Sequence, residues 1–316
     1  MKRLMTVVAA SVCAVSLLGT ARADENAPAE KSAEKSAEAE GLEEEEEAIF
    51  EAEVDVDFLS AYVWRNCVQN DEPVIQPCVW ADLTAFDPFW IGFSVWQNYD
   101  LTSRRHEALK GGLTETDYNV HLGATAWKSE DEDMSLDLEV GHEWFVNQQV
   151  KSASREYYKN TGEVYAKATF NNPLVNVYGQ TSWMYDDFGD YKQGMHYEIG
   201  FNKEVELCES LTLGADWNVN FGDSRYLYYL YGGVDYAEDE DGEEYWRNPD
   251  AGIGGTTVKA YLSWAITDWM SLVGTIGYTG VLNGSARQEL ANGAAWQGDC
   301  YRRDLLWGGL SLKFSF

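Results

Sequence analysis

Positive charge is the scarcest feature of this sequence. Its 316 residues carry 23 Lys and Arg against 53 Asp and Glu, a formal net charge of −30. A chain of that sign repels phosphate backbones, which excludes nucleic acid as a partner. Long apolar runs are missing beyond the first residues, and mean hydropathy is −0.39, which excludes a bundle of membrane-spanning helices. Histidine is limited to four residues and cysteine to five. Their spacing matches no zinc pattern, so neither a metal nor a cofactor is expected. What is present is hydrophobic content of 45%, too high for a wholly disordered chain, and 14% aromatics set among the acids. That combination is what the reading has to explain.

Residues 1–23 read as a secretory signal. Lys2 and Arg3 precede an apolar stretch that is short for a membrane span, and Ala21-Arg22-Ala23 offers small residues at a cleavage site. Cys13 lies inside the apolar stretch, so a lipoprotein is not expected. Residues 24–49 form a low-complexity acidic tail with 11 acids, two lysines and no aromatic before Phe50. Such a segment cannot bury a core and is expected to be a solvated periplasmic tail.

From Phe50 the period is two. Val54, Val56 and Phe58 alternate with acids, as do Met134, Leu136, Leu138 and Val140 with Ser135, Asp137 and Glu139. Twelve such segments are predicted, over about 53–64, 74–86, 89–99, 115–127, 134–146, 162–170, 174–185, 193–204, 210–221, 256–265, 270–280 and 304–316. Their connections alternate between short and long. That is the grammar of an all-β fold of one kind: an antiparallel up-and-down transmembrane β-barrel spanning 50–316, with short periplasmic turns and long extracellular loops. Hydrocarbon offers no hydrogen-bond partner, so a sheet within it must close on itself.

Aromatics at the strand ends support the same reading. Trp64, Phe86, Trp90, Tyr99, Trp127, Trp144, Trp183, Trp264 and Trp269 are the expected interfacial girdles. The last strand alternates apolar residues and ends in Phe314-Ser315-Phe316. This resembles the C-terminal strand of Gram-negative outer-membrane proteins, and the resemblance implies that Phe314 and Phe316 are read by the barrel-assembly machinery. The stretch Ser60-Ala61-Tyr62-Val63-Trp64-Arg65, followed by Gln69, Asp71 and Pro73, is similar to the opening strand of the proteobacterial Gcw_chp family. Asn66 stands where that family has Gly. This likeness implies a small outer-membrane barrel and no activity. The expected location is the bacterial outer membrane, with lipid and lipopolysaccharide as neighbours.

If the apolar phase meets lipid, the polar phase faces the lumen. That phase carries Asp55, Asp57, Asp82, Asp117, Asp137, Glu139, Glu143, Glu163, Glu198 and Asp216, with Lys167 and Lys259 among few cations. A narrow tube lined by one sign of charge concentrates counterions. The expected function is therefore passive passage of small cations or small polar solutes, with Tyr165, Tyr178 and Tyr261 as stacking platforms. The alternative is a filled, non-conducting barrel acting through its extracellular loops. A lipid-modifying enzyme is the lesser expectation, since His142 has no recognisable serine partner and no barrel-enzyme motif is present; the chain is read as not an enzyme.

Cys67 and Cys78 flank the first outer loop and form a candidate disulfide in an oxidising compartment. Cys300, in the last loop, is a competing partner, and Cys208 is expected to stay unbridged at a periplasmic turn. The loop 222–255 carries Tyr226-Leu-Tyr-Tyr-Leu-Tyr231 and then an acidic run. It is expected to be solvated, with an inward fold or cation binding as the alternatives.

Overall fold

The computed structural model describes residues 50–102, 112–147, 151–152, 155–156, 160–186, 194–232, 234–238, 244–292 and 302–316. The expected signal 1–23, the acidic tail 24–49, Cys13 and Cys300 lie outside the described residues.

Twelve long strands form the wall. They are β1 (Phe50–Leu59), β4 (Val74–Phe86), β5 (Phe89–Asp100), β6 (Leu113–Lys128), β7 (Ser135–Asn147) and β10 (Thr161–Asn171), followed by β11 (Asn176–Asp186), β12 (Gly194–Cys208), β13 (Leu211–Gly222), β16 (Gly252–Thr267), β17 (Met270–Val281) and β18 (Asp304–Ser315). Every neighbour is antiparallel, and the order β1-β18-β17-β16-β13-β12-β11-β10-β7-β6-β5-β4 closes on itself. Closure is made by Val54 opposite Phe314 and Phe58 opposite Leu310. Past the paired register, the Phe316 amide donates to the Ala52 carbonyl at 2.9 Å. The fold is the twelve-stranded antiparallel barrel that the alternation predicts. Its strands run from 10 to 16 residues, enough to cross hydrocarbon, and the longest extend past it.

The two faces differ as a membrane requires. Ile91, Val120, Leu122, Val140, Ile199, Ile276 and Leu310 point outward, each 45–57% exposed. In water a continuous apolar belt of this kind would drive aggregation; in lipid it is the face that belongs there. Inside, three tyrosine rings lie over glycines of the neighbouring strand: Tyr165 over Gly141, Tyr178 over Gly200 and Tyr261 over Gly214. Glycine is needed because a Cβ at position 214 would stand 2.0 Å from the Tyr261 ring.

The first strand corrects one expectation. It stops at Leu59 instead of running to Trp64, and β2 (Tyr62–Trp64) turns back to pair with β3 (Cys67–Asn70). Trp64 faces Cys67 across a two-residue turn in which Arg65 and Asn66 both have positive φ, 48° and 62°. That is the backbone a tight hairpin demands. Two further small hairpins, β8 (Lys151–Ser152) with β9 (Arg155–Glu156) and β14 (Val234–Glu238) with β15 (Glu244–Arg247), stand in the loops. So do two helices, Ser224–Tyr231 and Gly284–Asn292.

Replacing Gly214 by Val should displace Tyr261 and destabilise the barrel by roughly 1–3 kcal/mol, the usual range for overpacking. Ala215→Val, on the outward phase, should change stability by less than about 0.5 kcal/mol. Urea unfolding of protein refolded into vesicles measures both.

Candidate functional site

The lumen holds the charged set, and many of its members are engaged with the wall. Lys313 bridges Glu53 at 3.1 Å and Asp55 at 3.4 Å, and Lys259 meets Asp216 at 2.8 Å. His121 stands 3.1 Å from Asp82. Thr125 and Asn171 both donate to Asp137, at 2.9 and 2.6 Å. Tyr165 donates to Glu139 at 2.8 Å and Tyr178 to Glu198 at 2.7 Å, while the Lys167 ammonium sits 5.5 Å above the Tyr178 ring. Asp57 shares the phase of Asp55 on β1, and Asp117 is buried beside the outer rim. The three tyrosines expected as stacking platforms thus have one face on glycine, and each hydroxyl is held by a carboxylate, Glu204 in the case of Tyr261 at 2.7 Å.

The aromatic set divides. Trp127, Trp144, Trp183, Trp264 and Trp269 are 40–51% exposed on the outward phase, and Tyr99 is half-exposed at the outer rim. Phe86 ends β4; its side chain lies outside the described residues. Two tryptophans depart from the expected girdle. Trp90 shares the inward phase of Gly92 and covers Gly123. Trp64 packs against Phe145 and Tyr229, at ring-centroid distances of 5.4 and 6.4 Å. Alternation assigns Trp90 to the lumen by parity, and the early end of β1 removes Trp64 from the wall. Phe314 stacks on Trp269 at 6.1 Å, and Phe316 is 59% exposed at the chain end.

The candidate disulfide is not formed. Cys67 is carried away by the hairpin, its thiol 3.7 Å from the Leu230 carbonyl. Cys78 stays in the wall opposite Asp55. The expected position of both at a common loop base fails because the hairpin folds inward.

That inward fold is the main feature of the outer mouth. Arg65, at the hairpin tip, forms an ion pair with Glu163 of β10 and donates to His196 Nδ1 of β12. The Arg65 carbonyl accepts from Asn220 of β13 at 2.7 Å, and Asn66 donates to the Gly255 carbonyl of β16 at 3.2 Å. In the closed strand order, β10 lies five places from β1 one way round and seven the other. The hairpin therefore crosses the full bore and ties to the opposite wall. Glu163 is fully buried and Arg65 nearly so. Burial alone would lower the Arg65 pKa; the Glu163 carboxylate beside it more than reverses this and holds the guanidinium charged.

Over the hairpin sits an apolar cap. Asp223 caps the helix Ser224–Tyr231, accepting from the Tyr226 amide at 2.8 Å, and its other oxygen accepts from the Met195 amide of β12 at 3.1 Å. Gly232 ends the helix at φ 79°. Tyr226, Leu227, Leu230 and Tyr231 are at most 1% exposed and cluster with Cys67, Phe145, Met184, Val281 and Ala286. This segment was expected to be solvated; it is instead the core of the cap. Burial raises the Tyr226 phenol well above its usual range, so it remains a neutral hydroxyl. The helical spacing of 226, 227, 230 and 231 between Asp223 and Gly232 is a legible sign of such a helix. Arg65, which no motif singled out as an anchor, has no comparable sequence signal.

Arg65→Ala should leave Glu163 buried without its counterion, a change of about 3–5 kcal/mol for such pairs. Hydrogen exchange should show protection at residues 62–70 falling by about 100-fold, as 3 kcal/mol implies, with mid-barrel amides of β12 unchanged.

The NanC porin is similar to this chain at 9% identity and a TM-score of 0.46, over 83% of this chain and 98% of that one. An outer membrane channel from Pseudomonas putida F1 is similar at 11% identity and a TM-score of 0.45, over 84% and 94%. Outer membrane phospholipase A from Escherichia coli is similar at 11% and 0.41, over 83% and 92%. The fold assignment rests on the closed strand order above, not on these likenesses. No curated protein matches the sequence. The family model described as MltA-interacting protein MipA matches residues 88–288. That match begins downstream of the 60–73 stretch similar to Gcw_chp, and the family found is a different one. This outer-membrane β-barrel chain belongs to the MipA family.

Proposed function

We propose that this protein is a closed barrel that serves as a membrane-embedded platform for a periplasmic partner of the MltA kind. The observation that carries this is the hairpin crossing the bore, with Arg65 bound to Glu163 and His196 on the far wall. A loop that is incidental to an open pore has no reason to bury an ion pair across its diameter. The description of the family as MltA-interacting supplies the partner. The short-turn end of the barrel, taken as periplasmic, supplies a surface: Glu130, Asp131, Glu132 and Asp133 in one turn, Glu209 in another with Glu206 at the strand end beside it, and Asp268 in a third are all exposed. A partner meeting that surface is expected to present basic residues. On this reading the protein is not an enzyme. His142, the histidine nearest to a lipid-facing catalytic position, is hydrogen-bonded to Tyr185 and packed on Trp144.

A second reading, passage of small cations or polar solutes, is favoured by the Glu143 and Glu198 carboxyl groups that line the space below the hairpin. One set of measurements separates the two. Under the platform reading, wild-type protein gives no steady current in planar bilayers and captures purified MltA. Capture weakens at high salt and falls at least tenfold when residues 130–133 are changed to Lys. Steady cation-selective current with no MltA capture would establish the channel reading instead.

A further inference from the structure

Beneath the hairpin lies a cavity of about 370 Å³, roofed by residues 63–66 and walled by Glu143, Gln180, His196, Glu198 and Asn218. That volume falls in the range of pockets that hold small molecules. Its hydrogen-bonding capacity is unevenly met. Arg65 Nη1 contacts His196 Nδ1, and a guanidinium can only donate. Nδ1 therefore accepts, which places the proton of neutral His196 on Nε2. That N–H belongs to a side chain 1% exposed and has no acceptor. Glu198 Oε2 stands 3.9 Å from it, beyond hydrogen-bond reach. Asn218 Oδ1 is also buried with no donor. Buried polar atoms of this kind are normally satisfied, so both call for an occupant.

The charge of the cavity selects that occupant. Arg65 is engaged by Glu163, and Lys259 by Asp216. Glu143 and Glu198 remain as carboxyl groups facing the space, one of them accepting from the hydroxyl of Tyr178. The unmet capacity is thus one N–H donor, one amide oxygen and the free oxygens of two carboxyl groups, whose ionised form a cation would favour. An anionic ligand would meet repulsion, and a purely apolar one would leave every one of these groups unpaired.

We infer that this cavity is a binding site for a small organic cation that also carries a hydroxyl group. The ammonium faces the Glu143 and Glu198 carboxylates and Asn218 Oδ1. The hydroxyl oxygen accepts a hydrogen bond from His196 Nε2–H and donates one to Glu198, bridging these two atoms, which stand 3.9 Å apart, from the cavity side. The site does not depend on the platform or the channel reading, because binding is read without MltA and without current.

Titration calorimetry of the full chain in detergent micelles tests this with three ligands of one ring and different charge: glucosamine, glucose and glucuronate. Glucosamine is expected to bind at least tenfold more tightly than glucose, with no binding of glucuronate. Glu198→Gln should weaken glucosamine at least fivefold and leave the affinity for glucose little changed. Asn218→Asp, which adds a carboxylate in the same shape, should tighten glucosamine. Folding of each variant is checked by its heat-modifiable gel mobility; should Glu198→Gln not fold, the wild-type ranking and Asn218→Asp decide. Equal binding of glucuronate, binding of none of the three, or unchanged glucosamine affinity in folded Glu198→Gln would each overturn the inference.

Discussion

A sheet in hydrocarbon has no partner for an open edge, and everything else in this protein follows from closing it. The pairing of β1 with β18 removes both edges at once, so each wall strand has a hydrogen-bonded neighbour on either side. Closure fixes parity: once one face of each strand is given to lipid, the other must line the bore. The acids of the strands are therefore not a soluble surface. They line a tube whose exterior is Val, Leu, Ile and Phe, while other acids stand in the tail and the turns.

An interior of that composition has to satisfy its charges locally, and the wall does so by pairing across strands. Lys313 with Glu53 and Asp55, Lys259 with Asp216, and the tyrosine hydroxyls with Glu139, Glu198 and Glu204 each join neighbouring or near-neighbouring strands. These contacts leave much less free field than the count of carboxylates suggests. Glu163 is met differently: among the described residues its counterion comes from the first outer loop. Ion pairing of a fully buried carboxylate is demanding, and meeting that demand brings the hairpin across the bore. The apolar cap of Tyr226, Leu227, Leu230 and Tyr231 packs against the hairpin through Cys67 and Trp64.

Strand positions were legible because the period of two survives averaging over faces, turns and loops. Every predicted segment but the first lies on one wall strand, with ends that differ by a few residues, and the first runs past Leu59 into the hairpin. The membrane-facing tryptophans at 127, 144, 183, 264 and 269 were legible for the same reason, since parity and position together place them outside. Trp90 was not, because a strand end is short enough for position to suggest the girdle while parity assigns the lumen. The polar phase was legible as a list but not as a network, since cross-strand pairing depends on register. The bulges that shift that register at Cys208, Phe221 and Thr267 are set by local geometry.

The sequence by itself determined the barrel: its strand count, its inward and outward faces and its acidic lining. Alternation is a local property, and hydrocarbon permits only one closed solution to it. Tertiary structure alone decided what fills the mouth. Arg65 and Glu163 are 98 residues apart, and nothing in either neighbourhood names the other. Only closure of the ring, which sets β10 opposite β1, brings a loop cation within reach of that carboxylate.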